Sequence, residues 1–395
     1  MNHPSSSNLH TKQQEKALYH TTKMNHHNDK ANILDWLRTT DPELLAQLWE
    51  LADSARKQSV GEDILLRGII EFSNICSKDC LYCGINCHVK GISRYTMSAD
   101  EILTVIRRFP PHDIHTVVLQ SGESSHLSTA WVTDLVKRIK DCGDTAITLA
   151  LGERPHDDYA EWKEAGAERY LLKIETSNPT LYNRLHPSKP NGWEKRIACL
   201  KVLHQLDYEV GSGGMIGLPG QTYDDLANDM LLLRELDIDM IGMGPFIPHP
   251  DTPLGYDRSS YLAPVDQVPN DDLMTYKTVA LLRLISPYTN LPATTALATV
   301  DPTAGTMNVL QRGANVMMPN CTPVKYKEQY DIYPNPKRQS KQGVDDSAVM
   351  DSIVGNVFRL VKTIGRTIGK DNGLSLNFLR RREGLERHGE IPPCC

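Results

Sequence analysis

No uncharged apolar run in the chain approaches the roughly 18 residues needed to cross a bilayer. Basic residues are not in excess either: 43 Lys and Arg stand against 49 Asp and Glu, a net charge of -6. A general nucleic-acid binder would carry a basic surface, and this balance argues against one. The chain does not open on a secretory signal peptide, and its first thirty residues contain no arginine, which a transit peptide would need. Cysteine is sparse, nine in 395 residues, and the uneven set fits a reducing cytosol better than a disulfide framework. The expectation is a soluble, cytoplasmic protein.

What is present is an ordinary globular composition, 40% hydrophobic and 23% charged. Residues 1 to about 30 hold five of the fourteen histidines (His3, His10, His20, His26, His27) with few large apolar residues. Such a segment cannot offset its ordering entropy and is read as a disordered tail, with Met24 a conceivable alternative start. From Ile33 to Lys57 leucines recur at helical spacing, giving a leading helical layer. Short apolar runs then alternate with amphipathic stretches. The runs are Ile64–Phe72, His115–Ser121, Ala146–Gly152, Arg169–Glu175, Glu209–Leu218, Met240–Phe246, Leu291–Leu297 and Ala314–Met318. Most are apolar on both faces, as parallel strands covered by helices are. Eight such strand–helix units predict an α/β fold, a (β/α)8 TIM-type barrel over residues 31–334, with an open doubly wound sheet as the other option. Residues 335–395 form a C-terminal extension, read as one helix over Val354–Ile368 and then a loosely held end with Cys394 and Cys395.

The strongest local signal follows the first predicted strand. Cys76, Cys80 and Cys83 lie within eight positions in C-S-K-D-C-L-Y-C-G. Thiolates are soft ligands suited to iron–sulfur clusters and zinc. A structural zinc site wants a fourth ligand, for which Cys87 or His88 is available; a disulfide pair is the remaining alternative. Three cysteines without an obvious fourth point instead to a [4Fe–4S] cluster with one iron left open. Tyr82, between the second and third cysteines, is an aromatic beside the cluster or a packing residue.

In a barrel the active site forms at the C-terminal strand ends. The predicted strands end in Q-S-G-E (120–123), in G-E-R (152–154) after Thr148, in Lys173, Glu175 and Thr176, in G-S-G-G-M-I-G-L-P-G-Q-T (211–222), and in Thr294 and Thr295. Acids, bases and glycines that let a ligand touch backbone are thus brought to one mouth. An open iron, a grip for a carboxylate and a glycine-lined groove suit S-adenosylmethionine (SAM), whose amino and carboxylate groups could chelate that iron.

The C-x3-C-x2-C spacing is the radical SAM signature. The surrounding segments resemble the HydE family of [FeFe]-hydrogenase maturases: L-Q-S-G-E (119–123), E-R-Y-L-L-K-I-E-T (168–176), G-L-P-G-Q-T (217–222), G-P-F-I-P-H-P-D-T-P-L (244–254), P-A-T-T-A (292–296) and G-A-N-V-M-M-P-N (313–320). The resemblance implies a full barrel holding one [4Fe–4S] cluster and SAM. It also implies an adenosyl radical that attacks an iron-bound cysteinate complex on the route to the hydrogenase H-cluster. By matching position, Cys76, Cys80 and Cys83 would ligate the cluster, and Tyr82, Gln120, Thr148, Glu175 and Arg196 would contact SAM, Arg196 through its carboxylate. Arg169, Lys173, Thr294, Thr295, Met318 and Tyr333 would line the substrate side. Implied partners are a small-molecule or iron-complex substrate, other maturation proteins, and a reductant such as a ferredoxin or flavodoxin. Two departures stand out. Relatives often carry accessory-cluster cysteines shortly after Tyr333, where this chain reads Y-P-N-P-K-R-Q-S-K-Q-G, so no second cluster of that kind is expected. Lys173 replaces an arginine, a point charge in place of a planar fork. That leaves open a paralogue related to biotin or methylornithine synthase, acting on another small thiol or amino-acid-derived substrate. A cluster carrier or scaffold is a third reading.

Overall fold

The computed structural model describes residues 29–188, 191–262, 265–334 and 345–385. The histidine-rich segment through residue 28, the stretch 335–344 and Cys394–Cys395 lie outside the described residues. Eight parallel strands form the wall: β1 Asp63–Ser73, β2 Thr116–Ser121, β3 Ala146–Ala150, β4 Arg169–Leu171, β5 Glu209–Ile216, β6 Met240–Pro245, β7 Pro292–Ala293 and β8 Val316–Met317. Their order is β6-β5-β4-β3-β2-β1-β8-β7. A parallel bridge between Met240 and Asn290 joins the two ends, so the barrel is nearly closed. Strand residues such as Val117, Ile147, Tyr170 and Val210 are fully buried because helices cover the outer face. Among the described residues no helix is long and apolar enough to cross a membrane.

Several boundaries differ from the sequence reading, each for a local reason. The leading layer is two helices, Asp29–Arg38 and Pro42–Val60. Asp41 caps the second by accepting from the Glu43 and Leu44 amides, and Pro42 starts it. The run Leu291–Leu297 is strand only over Pro292–Ala293. Thr294 is the N-cap of the helix Thr295–Val300, accepting from Leu297 N. A threonine that caps a helix cannot also continue the ladder.

The C-terminal extension is held more firmly than its composition suggests. After the helix Asp346–Thr363 a short strand, β9 Thr367–Ile368, pairs with β1. The chain then passes under the barrel floor, where inward-facing charges meet its backbone. Arg67 and Arg169 share Glu209 between them. Arg67 donates to Gly373 O, while Arg169 and Thr116 donate to Asn372 O. Arg381, which the sequence reading placed on a loose end, donates to Asp237 and Asp239 at 3.0 and 2.7 Å.

Burial pushes the Asp239 carboxyl up to about 7, although Arg381 pulls against that. Protonation of Asp239 therefore favours the folded state, and stability is lost as pH rises toward 7. Replacing Arg381 by Ala should destabilise the fold by about 3 kcal/mol at pH 8, because a buried carboxylate then loses its partner. The loss should shrink at pH 5, where Asp239 is neutral. Urea unfolding at the two pH values checks this; an equal loss at both would contradict it.

Candidate active site

The cysteine loop runs from the end of β1 to the entry of the helix Ala99–Ile106. One side chain shapes it. Arg94 donates through Nη1 to the carbonyls of Asn74 and Ile85, both at 2.7 Å, and through Nη2 to Asn86 at 2.7 Å and Val89 at 3.4 Å. The loop is thereby tied at its start and its end around one planar cation whose geometry matches several carbonyls at once. Its base is packed on the end of β2. A Cβ at Gly122 would stand 2.5 Å from Ile75 O and 2.7 Å from Cys76 Cβ, so only glycine admits this approach. Glu123 then fixes the loop from the other side, its carbonyl accepting from Ser77 N at 2.9 Å and its carboxylate meeting Lys78 at 2.8 Å.

Cys76, Cys80 and Cys83 all open onto one cavity of about 690 Å3 on the C-terminal side of the barrel. Burial raises the pKa of each thiol: Cys83 is pushed up to about 12, and Cys76 and Cys80 also rise, Cys80 further through its two neighbours. Part of each side chain faces the cavity, yet the walls around it remove bulk water. Such thiols stay protonated at neutral pH unless a metal displaces the proton. Among the described residues no group of three His, Cys, Asp or Glu side chains converges tightly enough for a single metal ion. A cluster spreads its three thiolates over separate irons, so the triplet fits a cluster better than zinc.

Gln120, Glu175, Arg196 and Tyr82 line the same cavity. Glu175 adopts φ +63°, a left-handed conformation that a non-glycine residue holds only under constraint. The constraint comes from Asp229, fully buried in the helix Tyr223–Glu235, whose Oδ1 accepts from Thr176 Oγ1, Ser177 N and Ser177 Oγ. Gln221 holds the other carboxylate oxygen of Asp229 at 2.8 Å. The turn so fixed aims the Glu175 side chain inward, where Oε2 is buried without a hydrogen bond and stands 3.3 Å from Lys173 Nζ. Burial pulls the Lys173 pKa down, but Glu175 outweighs it and the net shift is upward, so the lysine is charged. Arg196 meets Glu153 at 2.9 Å and Glu123 at 3.5 Å, and donates to Tyr182 Oη at 3.1 Å, all through Nε and Nη2. Donors and acceptors with unused capacity at the rim of a thiol-lined cavity are what an amino-acid-bearing cofactor needs.

Lys173, Thr294, Thr295, Met318 and Tyr333 also line the cavity. Two expected residues do not. Arg169 is spent on Glu209, Thr116 and Asn372 at the floor. Thr148 lies below the cavity at the register position of Arg169, 1% exposed, its hydroxyl without a hydrogen-bond partner. Both sit at or near strand starts or centres, whereas the cavity opens beyond strand ends. The glycines of G-S-G-G serve strand packing, not ligand approach. A Cβ at Gly213 would meet Gly242 O at 2.0 Å, and one at Gly214 would meet Glu175 O at 2.5 Å.

The sequence reading missed His186, Glu71 and Lys327, all at the cavity wall. Lys327 makes one long bond, 3.5 Å to Asn320 O. Glu71 closes an apolar strand, and Asn320 donates to it at 2.9 Å; an acid at a strand's carboxyl end was the available signal. Arg94 and Asp229 gave none: Arg94 acts on carbonyls 5 to 20 residues before it, and Asp229 on a turn 52 residues away, and neither pattern is marked by residue type.

The sequence matches the Radical SAM superfamily over residues 70–233. It is 44% identical over 326 residues to the [FeFe] hydrogenase maturase subunit HydE of Thermotoga maritima, covering 82% of this chain and 88% of the relative. A 3-methylornithine synthase of Methanosarcina acetivorans is 25% identical, with 70% of this chain and 74% of the relative covered. Among solved structures, methylornithine synthase superposes with a TM-score of 0.72 at 20% identity, over 89% of this chain and 97% of the other. That likeness establishes the shared barrel.

Two outcomes follow from the loop. In apo-protein at pH 8, iodoacetamide should label the exposed Cys87 and Cys142 well before Cys76, Cys80 and Cys83; equal rates by mass spectrometry would contradict the raised thiol pKa values. Arg94→Ala should cut iron incorporation by more than half, with Arg94→Lys restoring little because a point charge cannot reach four carbonyls. Iron assay after anaerobic reconstitution checks this, and undiminished loading would remove Arg94 from the account.

Proposed function

The chain belongs to the radical SAM superfamily and, within it, to the HydE family of [FeFe]-hydrogenase maturases, and on that premise we propose that this radical SAM enzyme acts on an iron-bound cysteinate precursor of the hydrogenase H-cluster. The observation that carries the reading is one cavity lined together by three thiols, Glu175, Arg196, Lys173, Thr294 and Tyr333. When bound, a [4Fe–4S] cluster supplies one electron that breaks the C5′–S bond of SAM, giving methionine and the 5′-deoxyadenosyl radical.

Cys76, Cys80 and Cys83 would hold three irons as thiolates, their protons leaving as the metal arrives. Arg196 would grip the methionine carboxylate through its guanidinium, while Glu123 and Glu153 hold that group in place. Glu175 Oε2 would accept from the cofactor's amino or hydroxyl donors. Tyr82, locked between two ligand cysteines, supplies a flat apolar face, and Gln120, with its amide on Tyr330 Oη at 3.1 Å, an adjacent polar one. On the substrate side Lys173 and Tyr333 lie near one another and near Glu175, and Thr294 and Thr295 offer hydroxyls above β7. Walls of barrel strands and of the segment 318–334 keep water from a reactive carbon radical.

A second reading, a paralogue taking another small thiol or amino-acid-derived substrate, is favoured by one observation. Lys173 is already engaged by Glu175, which weakens its pull on an anionic complex. A carrier protein would need neither the cavity nor the constrained Glu175.

Anaerobically reconstituted protein given dithionite and SAM should release 5′-deoxyadenosine. Cys80→Ser should abolish it; release by that variant, or none from wild type with an intact cluster, would contradict the enzyme reading. Lys173→Arg should leave SAM cleavage without substrate unchanged and raise turnover of an iron–cysteinate complex several-fold; no change with that complex, together with turnover of another thiol, would favour the paralogue.

A further inference from the structure

Between the cysteine loop and Arg196 lies a pair of stacked rings to which the reading above gives no role. His186 is 3% exposed and lines the cavity. Its Nδ1 is 2.7 Å from Tyr182 O. A carbonyl can only accept, so Nδ1 carries the proton and Nε2 of the neutral ring is the acceptor for Tyr82 Oη at 3.0 Å. The imidazole stacks on Tyr182 with centroids 4.1 Å apart and meets Tyr82 edge-on at 5.6 Å, the planes 89° apart. Tyr182 in turn accepts from Arg196 Nε at 3.1 Å and lies under its guanidinium. The backbone runs parallel to this relay, since Leu81 N donates to Leu185 O at 3.0 Å.

We infer that His186 is a positioning residue for SAM: one imidazole fixes the ring of Tyr82 and, through Tyr182, the guanidinium of Arg196, so the aromatic and cationic contacts to the cofactor are set at one spacing before it binds. This rests on the reading that SAM binds beside the cysteine loop. A tyrosine in that loop could rotate about χ1, and a ring that holds its hydroxyl removes the entropy of doing so during binding. Because Tyr82 and Arg196 belong to different elements, a ring in contact with Tyr82 and with Tyr182, on which Arg196 rests, is the economical way to set their distance.

The test uses holoprotein with an oxidised cluster, which binds SAM without cleaving it, and reads the SAM Kd by calorimetry. Tyr82→Phe and His186→Phe should each raise Kd about three- to tenfold, the range one hydrogen bond supplies. The double variant should be no weaker than the worse single one, since both remove the same bond. His186→Gln, which can still accept from Tyr82, should recover part of the loss, and it serves as the reporter should His186→Phe load less iron. A Kd unchanged in both His186 variants, or single effects that multiply in the double variant, would overturn the inference while leaving the proposed function intact. Wild-type holoprotein that fails to bind SAM would overturn both.

Discussion

Three thiols whose pKa values are raised by burial must be kept together in a loop that makes few backbone hydrogen bonds of its own, and the guanidinium of Arg94 is what makes that possible. A loop of this length would otherwise lose conformational entropy without a ladder to offset it. Four carbonyls accept from one cation, and in holding them it sets the path from Asn74 to Val89. The rest of the site builds on that path. Gly122 can touch the loop only because the loop is there to be touched, and Glu123 reaches Lys78 and Arg196 from the same turn.

A second constraint acts on the opposite wall. The segment that follows β4 and carries Lys173 ends in a residue with positive φ, Glu175, and the conformation persists because the buried Asp229 accepts three donors from the two residues after it. The cost of the left-handed turn is on the order of 1 kcal/mol, well within what several charge-assisted hydrogen bonds supply. The result is an acid held in a cavity wall with its Oε2 3.3 Å from Lys173 Nζ. Rigidity of this kind suits a site that must orient a cofactor for a single bond cleavage. The barrel floor is organised differently: Arg67 and Arg169 share Glu209 and donate to the extension beneath them.

Much of this was legible in the sequence. Eight apolar runs predicted the barrel because strands buried on both faces leave an unbroken apolar trace. The cysteines identified the reactive end because their spacing is local. Illegible were features that depend on distance in three dimensions. Arg169 belongs to a segment matching the family, yet its place at the start of β4 turns it to the floor; a motif reports neighbours in sequence, not height in a barrel. The glycines within β5 resembled a ligand groove because a glycine for a ligand and a glycine for a neighbouring strand look the same. Thr294 was read as strand since its side chain's role as a cap depends on where the chain turns. Arg381 seemed to belong to a loose basic end because its partners, Asp237 and Asp239, lie some 140 residues earlier.

The central claim is that the three cysteines hold a cluster with one iron free for SAM. Mössbauer spectroscopy of protein reconstituted with 57Fe tests it directly. With SAM added to the oxidised cluster, one iron in four should separate from the rest as its coordination changes. Four irons that remain equivalent with and without SAM would contradict the account.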